Sequence, residues 1–285
     1  MLTAAELKSV LKAQGLRLTK RLGQHHLVDE CALRQIVSSC GLSPEDTVLE
    51  IGAGLGALTE ELAKSAGRVM AVEVDRRFSA LLAERMRHAA NVEVRCADIL
   101  ALDAAALRDV VVVGAIPYHI TSPILVWLSE HRDRMRAAVL ILQQEVARRL
   151  TARPGTNAYG RLSLLGHYCW QMELLFAVPR GSFFPPPEVD SACVRLIPRP
   201  APPVAVASEP RLFALVKAAF AQRRKTLVNC LAADRSLGIT RREAEAAVEA
   251  LGLPPAARGE TLSLEQFAAL ANLKMGSDPG TMSRR

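Results

Sequence analysis

Residues 47–56 read TVLEIGAGLG, an apolar run that ends in a loop with glycine at positions 52, 54 and 56. The run at 47–51 predicts a short buried strand, and helical spacing over 58–66 predicts a helix after the loop. Glycines in such a loop let the backbone approach a ligand closely, and the N-terminus of the next helix offers unpaired N–H groups. The stretch therefore predicts a strand–loop–helix unit that binds a nucleotide-like cofactor.

Four further apolar runs extend this unit into a sheet, and they are residues 68–74, 92–95, 110–113 and 137–142. Helical spacing lies between them, most clearly over residues 76–86. Continuous apolar strands that alternate with helices indicate a parallel sheet covered on both faces. We therefore predict an α/β fold with a Rossmann-like, mostly parallel, doubly wound sheet.

The C-terminal part has a different pattern. Residues 168–176 and 191–197 predict two later strands around a proline-rich insert, and three helices are predicted over 211–233, 240–251 and 263–273, the last with a capping box of Ser263 and Gln266. The predicted organisation is a cofactor domain (1–198), a linker (199–210), a small all-α domain (211–274) and a disordered tail (275–285).

Composition excludes several classes of protein. The 285 residues carry a formal net charge of +7, which favours an acidic partner such as nucleic acid. The six cysteines form no Cys-x-x-Cys pair, so neither a zinc site nor a disulfide framework is expected, and we predict no metal. No apolar run approaches the ~20 residues that span a bilayer, and no signal peptide is evident. We expect a cytoplasmic protein without a membrane partner.

Three carboxylates bear on which cofactor the chain binds. Glu73 follows the glycine loop by ~20 residues, where a carboxylate accepts both ribose hydroxyls of a nucleotide. The glycine loop and Glu73 alone fit both NAD and S-adenosylmethionine. Glu50 suits a cationic aminoacyl end better than a pyrophosphate, and Asp98 follows the third strand, where it can accept a hydrogen bond from an adenine amine. These favour S-adenosylmethionine, with an NAD-dependent dehydrogenase as the alternative.

Nearly the whole chain resembles the ribosomal-RNA adenine dimethyltransferases. The matching segments are 22–27, 50–56, 73–75, 98, 116–118, 144–150, 159–163, 183–191 and 220–227. The last two are typical of the housekeeping small-subunit rRNA branch, more than of the macrolide-resistance branch. The resemblance implies methylation of adenosine N6 in small-subunit ribosomal RNA or a pre-subunit particle, by a monomer that uses S-adenosylmethionine.

The resemblance also implies site residues. The implied cofactor contacts are Gln24, His25, Leu27, Gly52, Gly54, Glu73, Asp98 and Ala115. The implied catalytic positions are Ala115, Pro117, Tyr118 and Phe183, with Tyr118 and Phe183 on the two faces of an extruded adenine and the Pro117 carbonyl accepting from its amine. Arg223, Arg224 and Lys225 are the implied rRNA phosphate contacts, with a solvated helix face as the alternative.

Two motifs depart from the family pattern. Gln-Asn-Phe-Leu is here Gln24-His25-His26-Leu27, and Asn-Leu-Pro-Tyr is here Ala115-Ile116-Pro117-Tyr118. Ala115 lacks the side-chain oxygen that orients the target amine in the family. The missing hydrogen bond predicts a slower transfer, with roughly 1–3 kcal/mol less stabilisation of the aligned amine. The alternatives are a weakly active or inactive rRNA-binding assembly factor and a methyltransferase retuned to another amine.

Overall fold

The computed structural model of the chain describes residues 3–16 and 25–275, apart from the side chain of His119. Contacts divide it into two units, one formed by Met1–Ala147 with Gln171–Pro198 and the other by Arg148–Trp170 with Arg199–Arg285. In the described part, each helix falls short of the length and hydrophobicity that crossing a bilayer requires.

The described strands are β1 (His26–Leu27), β2 (Thr47–Ile51), β3 (Arg68–Glu73), β4 (Val92–Cys96), β5 (Val110–Ala115), β6 (Met135–Gln143), β7 (Trp170–Val178), β8 (Phe183–Phe184) and β9 (Ser191–Pro198). The described helices are α1 (Ala4–Ala13), α2 (Glu30–Ser39), α3 (Ala57–Leu62), α4 (Arg76–Met86), α5 (Thr121–Glu130), α6 (Gln144–Leu150), α7 (Arg161–Cys169), α8 (Glu209–Ala219), α9 (Leu227–Ala233), α10 (Arg241–Ala250) and α11 (Leu264–Asn272).

The main sheet of the first unit has the order β4-β3-β2-β5-β6-β9-β7. The strands from β4 through β6 pair in parallel, whereas β9 pairs antiparallel with β6. Val111, Val112 and Val113 are fully buried because helices cover both faces of a parallel sheet. The predicted Rossmann-like fold is confirmed.

The parallel arrangement positions the site. The carboxyl ends of β2, β3, β4 and β5 meet at one edge, because these strands run in the same direction. Ile51 is opposite Gly114, and Glu73 is opposite Cys96. The glycine loop, Glu73, Asp98 and the turn after Ala115 therefore share this edge, where open α/β sheets bind their ligands.

Several predicted elements differ from the observed ones. Residues 211–233 were expected to form one helix, but α8 ends at Ala219 and α9 begins at Leu227, where the Thr226 side chain accepts the N–H of Asn229. Tyr168 belongs to α7, and the predicted strand starts only at Trp170. The capping box of Ser263 and Gln266 is confirmed.

The second unit differs in extent from the predicted helical domain. The boundary after Pro198 coincides with a division between the units, but residues 148–170 group with the C-terminal helices. Within the predicted linker, Ala205 and Ala207 exchange hydrogen bonds with the Asn272 side chain, so this segment packs on α11. Met275, expected in the disordered tail, is buried, and its carbonyl accepts from Arg211. Residues 276–285 lie outside the described part.

Candidate active site

The glycine loop connects β2 to α3, and Gly52 and Gly54 both have positive φ, of 73° and 56°. A Cβ at Gly52 would lie 3.7 Å from the Ala115 carbonyl oxygen, so this position faces the turn after β5. A Cβ at Gly54 would lie 2.9 Å from the imidazole of His26. Glycine is therefore required at position 54 by both backbone conformation and space.

Glu73, at the end of β3, is held by the backbone. Its Oε2 accepts the N–H of Gly54 at 2.8 Å, and its Oε1 accepts the N–H of Asp75 at 2.9 Å. Burial raises the pKa of this carboxyl, and the two N–H donors oppose that rise. Each oxygen keeps a further lone pair. The carboxylate is thus fixed in orientation and still able to accept hydrogen bonds from a ligand.

Glu50 is the second buried carboxylate at this edge, and only 1% of it is exposed. Among the described residues, Oε2 of Glu50 has no hydrogen-bond partner. Burial raises the pKa of Glu50 to about 7, and the negative charge of Glu73 adds to the rise. Glu50 lines a cavity together with Gly52, Ala53 and Ala115. A buried acceptor without a partner, facing a cavity, suits a cationic ligand group.

Asp98, an implied cofactor contact, caps a short turn after β4. Its Oδ1 accepts the N–H of Leu100 at 2.9 Å, which caps the 3-10 turn Ile99–Ala101. The side chain is exposed and follows β4, beside the end of β3. Val74, with 54% exposed, and Leu100, with 38%, leave two large apolar side chains uncovered here. Neither side chain was predicted to be part of the site, although Val74 directly follows Glu73.

The turn after β5 holds the predicted target-base position. Ala115 ends the strand and contributes only a methyl group to the cavity. The Pro117 carbonyl accepts the N–H of Ile120 at 3.1 Å and lies 3.2 Å from the hydroxyl of Thr121. The Thr121 hydroxyl also lies 3.3 Å from the Tyr118 carbonyl oxygen, and because a hydroxyl donates only one hydrogen bond, the Pro117 carbonyl keeps a lone pair for a further donor.

Tyr118 and Phe183 have different surroundings, although both were predicted to stack on the extruded adenine. Tyr118 is half-buried, its hydroxyl lies 3.2 Å from Oγ of Ser191, and its ring stacks on His25 with centroids 5.6 Å apart and planes 27° apart. Phe183 is only 5% exposed and pairs with Leu27 across the β1–β8 ladder, within the hydrophobic core. The observed ring partner of Tyr118 is therefore His25.

The two histidines face different parts of the cavity. Nδ1 of His25 lies 2.7 Å from the carbonyl oxygen of Pro185. His26 packs on Phe78, with ring centroids 5.4 Å apart, and burial lowers its pKa to about 4, so it is neutral. Leu27, an implied cofactor contact, lines the cavity but is otherwise buried in the core. Gln24 lies outside the described residues.

Helix α1 was not predicted, and it contributes a wall of the cavity. Leu7 of this helix lines the cavity and packs with Leu55 and Phe78. Arg85 lies on the same wall, and its guanidinium donates to the Leu55 carbonyl and to Glu60. The amphipathic spacing of residues 4–13 and the capping box of Thr3 and Glu6 are the signals that predict such a helix.

In the second unit, the basic triplet lies in the break between α8 and α9. Arg223 has three protein partners. Its guanidinium donates to the carbonyls of Asn157 and Tyr159 and lies 3.4 Å from the carboxylate of Glu260. Arg224 and Lys225 are exposed. All three side chains are therefore exposed, and Arg223 differs from the other two in having these protein partners.

Comparisons with known proteins agree on one family. A family model described as "Ribosomal RNA adenine dimethylase" matches residues 15–274. A protein of Geobacillus thermodenitrificans named "Ribosomal RNA small subunit methyltransferase A" is 42% identical over 282 residues, which cover 96% of each chain. A protein of the same name from Pelotomaculum thermopropionicum is 43% identical over 281 residues, 94% of this chain and 95% of its own.

Solved structures agree with these relatives. A dimethyladenosine transferase from Plasmodium falciparum is similar with a TM-score of 0.72 and 27% identity, over 86% of this chain and 96% of that one. The 23S rRNA methyltransferase ErmE is similar with a TM-score of 0.62 and 33% identity, over 86% of this chain and 97% of its own.

Proposed function

The chain belongs to the ribosomal RNA adenine dimethylase family, and from this premise we infer that it methylates N6 of adenosines in small-subunit ribosomal RNA with S-adenosylmethionine. The observation that carries the assignment to the site is the cavity at the carboxyl edge of the parallel strands. There Glu73, which is held by backbone N–H groups, and Glu50, whose Oε2 has no hydrogen-bond partner among the described residues, flank the glycine loop.

The residues at this edge fit the cofactor. We assign Glu73 to the ribose hydroxyls, Glu50 to the cationic aminoacyl end, and Asp98 to the adenine amine, between the exposed side chains of Val74 and Leu100. Gly52 leaves room for a ligand against the backbone, whereas the space beside Gly54 is taken by the imidazole of His26. The bound cofactor supplies a methyl group on a sulfonium, which makes that methyl electrophilic.

The target end of the cavity works by alignment. The lone pair of the adenine amine is delocalised into the ring, so its orientation matters more than removal of its proton, and misplacement costs up to ~100-fold in rate. We assign Tyr118 to stacking with the extruded base, which replaces the stacking that the base loses on leaving the helix. Ala115 bounds the cavity between the base and the glycine loop.

Recognition of the rest of the RNA is assigned to the second unit. Exposed Arg224 and Lys225 suit phosphate contacts, which position RNA without reading sequence. We further propose that the substrate is an immature small-subunit particle in the cytoplasm and that the chain acts as a monomer.

Transfer of labelled methyl groups tests the proposed function directly. The chain is incubated with labelled S-adenosylmethionine and small subunits that lack the modification, and the RNA is digested to nucleosides. The expected products are N6-methylated and N6-dimethylated adenosine. Label confined to another nucleoside, or absent while the cofactor still binds by calorimetry, contradicts the proposal.

A second candidate function is an assembly factor that methylates poorly. One observation favours it: Ala115, at the end of β5, has no side-chain acceptor. Under this alternative, the chain binds immature small subunits and incorporates methyl groups only after the substitution Ala115→Asn. Incorporation by the unaltered chain at a rate that the substitution does not increase excludes it.

A further inference from the structure

Many cations of the first unit are paired with carboxylates. The pairs are Arg34 with Glu30, Lys64 with Glu61, Arg68 and Arg95 with Glu93, Arg77 with Asp75, Arg87 with Glu84, and Arg136 with Asp46. Lys8 and Arg180 differ from these, because both are exposed and neither has a carboxylate partner in the described part of the chain. A cation that is not neutralised internally can attract an external anion, so the position of these two residues indicates which anion they meet.

One series of contacts leads from Tyr118 to Lys8. The ring of Tyr118 stacks on His25 with centroids 5.6 Å apart, and Nδ1 of His25 lies 2.7 Å from the carbonyl oxygen of Pro185. The residue before Pro185 is Phe184, and Nζ of Lys8 lies over its ring, 5.0 Å from the centroid. Helix α1 thus places a cation on β8, next to the residue that holds the ring partner of Tyr118.

A second series of contacts leads from Tyr118 to Arg180. The hydroxyl of Tyr118 lies 3.2 Å from Oγ of Ser191. Asp190 directly precedes Ser191, and its Oδ1 accepts the backbone N–H of Arg180 at 2.9 Å. The two series leave Tyr118 through different atoms, one through the face of its ring and the other through its hydroxyl. Each ends at an exposed cation.

The turn that carries Arg180 is also fixed on its other side. Oγ of Ser182 donates to Oδ2 of Asp29 at 2.8 Å, and the Ser182 carbonyl accepts the N–H of Val28 at 2.9 Å. Phe183 and Phe184 follow directly as β8. The backbone at Arg180 is therefore already ordered, and only the arginine side chain has to be immobilised when it binds a ligand.

An extruded adenosine brings its own backbone to the mouth of the cavity. Base flipping rotates the nucleotide about its backbone, so the phosphates on both sides of it stay beside the pocket that receives the base. Each of these phosphates carries a negative charge, and lysine and arginine side chains hold such groups without reading sequence. Two exposed cations that are reached from Tyr118 by two separate series of contacts fit two such phosphates.

We propose that Arg180 and Lys8 bind backbone phosphates on the two sides of the target adenosine and so hold that nucleotide at Tyr118. The proposal rests on the proposed function, and it adds an RNA-binding surface in the first unit to the one assigned to the second. Arginine can hold a phosphate with two parallel N–H bonds, whereas lysine acts as a compact charge. Both residues act on RNA binding, so their loss should raise KM for the small subunit more than it lowers kcat.

The test measures binding of the full chain to undermethylated small subunits as the salt concentration rises. Arg180→Gln and Lys8→Gln each remove one cation without a carboxylate partner. Arg34→Gln and Lys64→Gln, which remove exposed cations that have carboxylate partners, are the matched controls. We expect each of the first two variants to lower affinity by about 3- to 10-fold at moderate salt and the slope of log affinity against log salt by about one. The controls should keep the slope of the unaltered chain.

Three further measurements separate a phosphate contact from a structural role. Arg180→Lys keeps the charge and should keep the salt slope. Cofactor affinity by calorimetry and the unfolding temperature should remain near those of the unaltered chain in Arg180→Gln and Lys8→Gln. In the same two variants KM should rise while kcat stays within about threefold.

The outcomes distinguish the inference from the function on which it rests. An unchanged salt slope in either Arg180→Gln or Lys8→Gln overturns the inference while the function stands. An equal decrease in the slope of the two controls also overturns it, because the effect would then follow total charge and not position. An unaltered chain that methylates no adenosine overturns the proposed function instead.

Alkylation of the RNA backbone locates the contacts directly. Ethylnitrosourea ethylates phosphates that a bound protein leaves accessible, and the modified positions are mapped by cleavage of the RNA. With saturating unaltered chain, the phosphates beside the methylated adenosine should be protected. Arg180→Gln should expose one of them, and Lys8→Gln should expose another. Protection that is the same for both variants as for the unaltered chain overturns the inference even where affinity falls.

Discussion

The two ends of the cavity differ in the hydrogen-bond acceptors that they offer a ligand. At the glycine loop, Glu73 is oriented by two backbone N–H donors, and Glu50 keeps an unpartnered oxygen. At the turn after β5, Ala115 offers a methyl group, and the Pro117 carbonyl accepts the N–H of Ile120. One end is prepared for a polar ligand, whereas the other relies on the stacked rings of Tyr118 and His25.

This difference predicts unequal sensitivity to substitution. Removing an acceptor at the glycine loop leaves the buried N–H of Gly54 without its partner, and an unpaired buried donor costs more than the net gain from a hydrogen bond. At the turn, Ala115 has no polar side-chain atom, so replacing it leaves no such orphan. Substitutions at the loop should therefore lower affinity and stability together, and those at the turn should act mainly on rate.

Glu73→Ala should have the largest effect. The variant removes the assigned ribose contacts and the partner of Gly54, so we expect cofactor affinity to fall by about 4 kcal/mol, or roughly 1000-fold, in calorimetry. Glu93→Ala on the neighbouring strand removes a partly exposed carboxylate that pairs with Arg68 and Arg95, and it is the matched control. Equal affinities of the two variants would contradict the assignment of Glu73.

Glu50→Gln should reveal a pH-dependent cost of the buried carboxylate. The pKa of Glu50 is raised from 4.5 to about 7 by burial, so the folded state holds its proton more tightly than the unfolded chain. The unaltered chain is therefore penalised progressively as pH rises from about 4.5 to 7, whereas Glu50→Gln is not. At pH 8 the variant should be more stable by about 3 kcal/mol, and near pH 4 the difference should vanish.

Urea unfolding at several pH values measures this difference, with Glu45→Gln at an exposed carboxylate as the control. Cofactor binding gives a second measurement. The cationic group of the cofactor should favour the ionised form of Glu50. Binding near pH 6 should therefore release a proton from the unaltered chain and none from Glu50→Gln. Parallel loss of stability in both chains would mean that Glu50 titrates like an exposed carboxyl.

Elements with strong local signals were predicted closely. The strand at 47–51 and the helix at 76–86 were predicted at their observed bounds, because an apolar run before glycines and regular helical spacing are local properties. The pairing of the glycine loop with Glu73 also follows from spacing. The break before Leu227 was missed although Thr226 is a typical N-cap residue, since the apolar spacing continues through it.

Features that depend on distant partners were not predictable from local patterns. The proline-rich flanks of Phe183 indicated a loop, but β8 pairs with β1, and strands of two residues carry no readable periodicity. The stack of His25 on Tyr118 joins segments far apart in the chain. Whether the Pro117 carbonyl is engaged depends on the turn geometry at Ile120 and Thr121, which the sequence does not specify.

Gly52→Ala should distinguish the effect of filling the cavity from the effect of backbone strain. Gly52 and Gly41 both have positive φ, and in neither case would an added Cβ meet a close protein atom. Both alanine variants should lose about 1 kcal/mol of stability from the strained conformation. Only Gly52 faces the cavity, so Gly52→Ala alone should also weaken cofactor binding, by about 2 kcal/mol or roughly 30-fold. Unchanged cofactor affinity in Gly52→Ala would show that the ligand does not approach the loop.

The smallest expected effect concerns the basic triplet of the second unit. Arg224→Ala removes an exposed cation, so RNA affinity should fall by about 3- to 5-fold at moderate salt, and the slope of log affinity against log salt should decrease by about one. Arg223→Ala instead removes the contacts to Asn157, Tyr159 and Glu260. It should lower the unfolding temperature, which Arg224→Ala should leave unchanged.

Salt titrations of RNA binding and thermal unfolding of both arginine variants check this division. If Arg223→Ala changed the salt slope as much as Arg224→Ala while leaving the unfolding temperature unchanged, Arg223 would leave its internal partners to meet phosphate. The triplet would then act as one basic surface, because an arginine held by two carbonyls and a carboxylate has to give up those contacts before it can bind RNA.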